Sequence, residues 1–205
     1  IPLRLVGSEM CIRDRLYQLP LALFGLSIGT VLLPTLSSLD PRKDLEEINI
    51  VIKKSLRFAL IMSIPSAIGL SMVSIPLIEA IYQHGLFNSL NTLIVSKTLI
   101  AFSFGLPAFV LIKIYLPIFY SLGDTKNPFK YSLVSIIINI ALALLLFPKY
   151  GVIGLAISTS LSSWVNLFLL INKLKDSTIS IFLMKLDIDL LKIIIASFLM
   201  SLIIY

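Results

Sequence analysis

Six apolar runs, each near the roughly twenty residues that cross a bilayer core, constrain this chain more than any other feature. They lie at residues 16–39, 56–82, 98–122, 129–147, 152–171 and 188–205. Inside hydrocarbon every backbone N–H and C=O must find its partner within the protein, so runs of this length are helices. The predicted class is all-α, a polytopic transmembrane helix bundle of about six spans. Composition closes off the soluble alternative. Of 205 residues, 58% are hydrophobic and 14% charged, against about a quarter charged in ordinary soluble domains.

The charges sit between the runs, alternating loop by loop. Arg42, Lys43, Lys53, Lys54 and Arg57 lie between the first two runs, and Lys126 and Lys130 between the third and fourth. Lys173, Lys175, Lys185 and Lys192 lie after the fifth; the intervening loops carry only Lys97 and Lys149. The positive-inside rule places the first set in the cytoplasm, so the first span runs inward. The net charge of +6 is thereby an orienting charge. Without a basic patch interleaved with aromatics it is no nucleic-acid footprint, and no nucleic-acid partner is expected.

Residues 1–15 are expected to be foreign. Met10-Cys-Ile-Arg-Asp14 is what a common transposase sequencing adapter encodes in this frame, so this segment is set apart from the fold. The single cysteine, Cys11, falls inside it, which removes disulfide, thiol and cysteine-metal chemistry from consideration. The remaining chain then begins in mid-sequence.

Leu45, Ile48, Ile52 and Leu56 repeat at helical spacing among charges. Two readings stay open: an amphipathic helix on the cytoplasmic membrane surface, or a cytoplasmic extension of the second span. Pro34, Pro65, Pro76, Pro107 and Pro117 mark kinks inside spans.

Polar groups inside spans are the candidate functional residues, because burying them in lipid is costly. Lys113 is the one charged residue between Thr98 and Leu122. It either snorkels to the cytoplasmic interface or faces a cavity that receives an anionic headgroup. Asn139, Thr159 and Asn166 lie in the fourth and fifth runs, where interhelical hydrogen bonding is the plainer role. Gly25 with Gly29, and Gly151 with Gly154, allow close helix approach. His84 reads as a turn residue and Trp164 as a packing or lipid-facing side chain. Neither a metal-ligand cluster nor a phosphate-cradling glycine loop is present, which favours a transporter over an enzyme.

Several stretches together resemble the lipid II flippase family (MurJ, also called MviN), within the superfamily of multidrug exporters and oligosaccharide-lipid flippases (MOP). They are Leu16-Tyr-Gln-Leu-Pro through Pro34-Thr-Leu-Ser37, Ser63-Ile-Pro-Ser-Ala67 on to Tyr82-Gln-His-Gly-Leu-Phe87, and Lys113-Ile-Tyr-Leu-Pro-Ile-Phe-Tyr-Ser121 with Asp124-Thr-Lys-Asn-Pro128. A fourth runs from Gly151-Val-Ile-Gly through Trp164-Val-Asn166. The resemblance implies a fourteen-helix transporter of two lobes. Residues 16–171 would belong to the C-terminal lobe, and 172–205 would be a cytoplasmic loop and the start of an extra helix pair. It further implies an inner-membrane protein, not an enzyme and working as a monomer. Its part in cell-wall biogenesis would be to move undecaprenyl-diphosphate-linked peptidoglycan precursor (lipid II) across the membrane by alternating access. Partners would be that lipid and the surrounding membrane lipids.

The resemblance also implies particular residues. The family's Asp-Arg pair falls at Asp14-Arg15, making Arg15 a cavity candidate beside Lys113, although adapter codons supply the same residues. Some members bind sodium through an asparagine, an acid one turn on and a threonine. Asn139 and Thr159 match, but Ala143 stands where the acid belongs, which puts a sodium site in doubt. Two rivals remain: another exporter of the superfamily, and a membrane enzyme acting on polyprenyl phosphates whose acidic cluster would lie outside this chain.

Overall fold

The computed structural model describes residues 18–39, 43–82, 89–175 and 196–197. Six helices cover nearly all of the first three segments: α1 (Gln18–Ser37), α2 (Leu45–Met72), α3 (Ser74–Tyr82), α4 (Ser89–Ser121), α5 (Lys126–Tyr150) and α6 (Val152–Lys175). All but α3 are long and apolar enough to cross a membrane. The expected sixth span at 188–205, the suspected adapter segment with Arg15, and His84 lie outside the described residues, apart from Ala196 and Ser197.

α4 is the axis of the bundle. α1, α2, α3 and α6 all pack on it, whereas α5 packs chiefly against α6. Ala108, Val110, Ile114, Tyr115 and Ile118 of α4 are fully buried, with Leu32 and Leu36 of α1, Ile52 and Ala59 of α2, and Leu170 and Leu174 of α6 around them. Large apolar side chains such as Ile137, Leu144 and Leu145 of α5 stand exposed, as they do on a face solvated by lipid.

The 45–56 stretch belongs to the continuous helix α2. Ile48, Ile52 and Leu56 are buried in the lobe's core, so this segment extends the second span into the cytoplasm and does not lie flat on the membrane. The run at 56–82 is two helices. Pro76 has no N–H to offer Met72, and the helix breaks at Val73 before restarting at Ser74. Ser74 Oγ donates to Ser71 O at 2.9 Å, and Ser96 Oγ of α4 donates to Ser74 O at 3.3 Å, so the break is tied to the neighbouring helix. Pro65, Pro107 and Pro117 leave α2 and α4 unbroken.

Candidate functional site

Lys113 lies where α4 crosses α1. A Cβ placed on Gly25 would sit 3.5 Å from Lys113 Cγ, and one on Gly29 would sit 2.9 Å from Lys113 O. The glycine pair of α1 therefore forms the surface against which the lysine's stem and backbone lie. Pro117, four residues on, cannot donate to the Lys113 carbonyl, and that oxygen faces Gly29. The start of the stem thus lies against α1. Among the described residues the half-buried lysine has no hydrogen-bond or ion-pair partner for its ammonium. It sits eight residues before the cytoplasmic end of α4, about 12 Å along the axis. Beside it, residues Leu21–Leu26 of α1 form a π-helical turn that contains Gly25, an irregularity often found at functional positions.

The other intramembrane polar residues are not gathered around Lys113. Asn139 makes no hydrogen bond among the described residues, and Thr159 Oγ1 donates to Leu155 O of its own helix at 2.9 Å. Asn166 Oδ1 is buried without a partner. Nothing joins Asn139 to Thr159, and among the described residues no group of three His, Cys, Asp or Glu side chains converges on a point.

Interhelical hydrogen bonding falls instead to residues the sequence did not single out for it. Ser135 Oγ of α5 donates to Ser162 O at 2.8 Å, and Ser160 Oγ of α6 donates to Ala101 O at 2.7 Å. Trp164 Nε1 donates to Phe104 O at 3.1 Å, so this tryptophan is a helix-to-helix strut. Gly105 makes the Ser160 approach possible, since a Cβ there would come within 2.7 Å of Ser160 Oγ. A small side chain opposite a hydroxyl was the available signal, but Ser158, Ser160, Ser162 and Ser163 crowd one stretch of α6 and only the register selects among them.

At the cytoplasmic turn, Asp124 Oδ1 accepts from the Asn127 backbone N–H at 3.1 Å, and Oδ2 accepts from Asn127 Nδ2 at 2.6 Å. These two bonds, the side-chain amide first, hold the Asp124 carboxyl below the usual aspartate value. The Asp-Thr-Lys-Asn-Pro run is thereby a helix-start device for α5.

The model of the family described as "Lipid II flippase MurJ" matches residues 8–205. A probable lipid II flippase MurJ of Rickettsia prowazekii is 40% identical over 163 residues, which is 80% of this chain and 32% of the relative. The lipid II flippase MurJ of Thermosipho africanus is 34% identical over 192 residues, 94% of this chain and 38% of the relative. A solved lipid II flippase MurJ in an inward closed conformation superposes with a TM-score of 0.81 at 34% identity, over 97% of this chain and 40% of that one. The chain thus spans 32–40% of the length of these relatives. Carrying the family's sequence along nearly all its length and its helices in the same arrangement, it belongs to the lipid II flippase MurJ family.

Proposed function

We propose that this chain is the C-terminal-lobe portion of a flippase that moves lipid II, the polyprenyl-diphosphate-linked peptidoglycan precursor, across the membrane by alternating access, without covalent chemistry on its cargo. The chain is a multi-pass protein of the bacterial inner membrane. The observation that carries the reading is the Lys113 ammonium at the α1–α4 crossing, without a partner among the described residues. A charge held inside a membrane protein without a partner raises the potential of any cavity it faces, and a diphosphate is the complementary cargo. Lysine serves as a point charge with three donors that can follow a moving phosphate. Arg15, if native, would add a second cation.

Motion fits the same place. Two glycines and a proline-freed carbonyl let α1 and α4 meet backbone to backbone at this crossing, a contact that can shift with less side-chain interlock than the Leu32 and Leu36 packing one and two turns on. We assign no sodium ion to the cycle, because Ala143 offers no carboxylate between Asn139 and Thr159. Lipid II transport by the full-length protein should persist when choline replaces sodium.

The deciding experiment is complementation of a flippase-depleted strain by the full-length protein. Lys113→Met keeps the stem's packing and removes the charge; it should fail to support growth at normal expression, while Lys113→Arg restores it. Normal growth with Lys113→Met at equal expression overturns the assignment.

A further inference from the structure

α1 and α2 both lean on α4 and touch one another sparsely, which leaves a groove of about 400 Å³ between them. Its walls are unlike at the two ends. Thr35, Lys54 and Ser55 line the end near the cytoplasmic surface, and Leu23, Val31 and Phe58 are among the side chains that continue it. Leu23 precedes Thr35 by twelve residues on α1, so the apolar end reaches about 18 Å deeper into the bilayer, the length of an acyl chain. Phe58 lies one turn beyond Lys54 on α2, so the cation sits at headgroup level with the aromatic ring beneath it.

The polar end is equipped for an anion. Among the described residues neither the Lys54 ammonium nor the Ser55 hydroxyl has a partner, whereas Lys53 and Arg57 on either side are engaged. Thr35 Oγ1 is committed to Val31 O at 2.8 Å, so it shapes the pocket and gives no donor. The groove is also separate from the Lys113 crossing. No α4 residue and neither Gly25 nor Gly29 lines it, although its Ile28 and Leu32 also pack into the core around α4.

We propose that this groove holds one anionic phospholipid of the cytoplasmic leaflet, its phosphate on Lys54 and Ser55 and one acyl chain along Val31 and Leu23. A basic pocket between helices on the cytoplasmic side selects a net negative headgroup over a zwitterionic one. The lipid fills the gap that direct α1–α2 packing leaves, and so braces α1 against α2.

Native mass spectrometry of the intact protein carrying this sequence, titrated with phosphatidylglycerol and in parallel with phosphatidylcholine, tests this. Wild type should retain one phosphatidylglycerol in preference to phosphatidylcholine. Lys54→Gln should weaken phosphatidylglycerol retention about fivefold and leave phosphatidylcholine unchanged. Lys43→Gln, which removes a cytoplasmic cation outside the groove, should change neither. Val31→Trp, which fills the groove with every cation intact, should lower phosphatidylglycerol retention as well. The proposal is overturned if wild type shows no preference, as it would were the rest of the protein to cover the groove. It is equally overturned if Lys43→Gln matches Lys54→Gln, which is diffuse surface attraction. Displacement of phosphatidylglycerol by undecaprenyl diphosphate from wild type but not from Lys54→Gln would assign the groove to the cargo lipid instead.

Discussion

At the scale of single residues, the α1–α4 crossing separates two glycines that look alike in sequence. A methyl group on Gly25 meets the flexible end of Leu21 at 3.2 Å, whereas one on Gly29 meets the Lys113 backbone oxygen at 2.9 Å. A side-chain tip can turn aside, but a carbonyl fixed in a helix cannot. Gly25→Ala should therefore be close to neutral, because the helix-propensity gain offsets a mild contact. Gly29→Ala should cost about 1–3 kcal/mol, as overpacking does. Thermal unfolding of the purified full-length variants in detergent measures the difference, and equal melting temperatures would refute the packing argument. Gly105 faces α6, where a methyl would come within 2.9 Å of Ser160 Cβ, an atom its own backbone fixes and no rotamer change can move. Gly105→Ala should therefore lower the melting temperature as Gly29→Ala does.

At the scale of elements, the start of α5 rests on Asp124. Asp124→Ala removes the acceptor for the Asn127 N–H and should cost about 1 kcal/mol. The pH dependence has a definite sign. The carboxyl is held below its unfolded value, so its contribution is complete above about pH 4 and is lost as pH falls through the lower folded value. The melting difference between wild type and Asp124→Ala should stay constant at neutral pH and close on acidification. A gap that widens in acid would contradict this.

The spans themselves were legible in the sequence, because apolar length is a one-dimensional signal. Their ends were less so. Ser89–Lys97 is polar enough to read as loop yet forms the first turns of α4, since Val95 buries itself beside Ile78. Pro76 was legible as a kink, but its effect, a restart at Ser74, depends on the Ser96 hydroxyl from another helix. Of the site, Lys113 stood out as a charge where none belongs, and Gly25-xxx-Gly29 as a close-approach motif. That the two are one contact is a matter of tertiary register, which no spacing within either helix encodes. The hydroxyl bonds of Ser135 and Ser160 were hidden for the same reason.

At the scale of the whole molecule, the charge alternation fixes a topology that labelling can check. Cysteines placed at Tyr150 and at Ser38, in a full-length protein cleared of native cysteine, should behave oppositely. A membrane-impermeant maleimide should reach position 150 in spheroplasts and position 38 only after lysis. The reverse pattern would invert the lobe and remove the basis for a cytoplasmic-leaflet lipid on Lys54.

Among the described residues α5 touches little besides α6, and the two are joined by the short turn at Gly151, where a Cβ on the nearby Gly154 would come within 2.7 Å of Leu146 O. Under mechanical load this arrangement fixes an order of failure. Tension applied at the α6 end works first against Leu174, Leu170 and Leu167 in the shared core and then against the α4 contacts of Trp164 and Ser160; once those yield, α5 has no other helix to hold it among the described residues. The hairpin should then leave the membrane in one step, while α1, α2 and α4, clasped around a shared core, stay behind as the resistant unit.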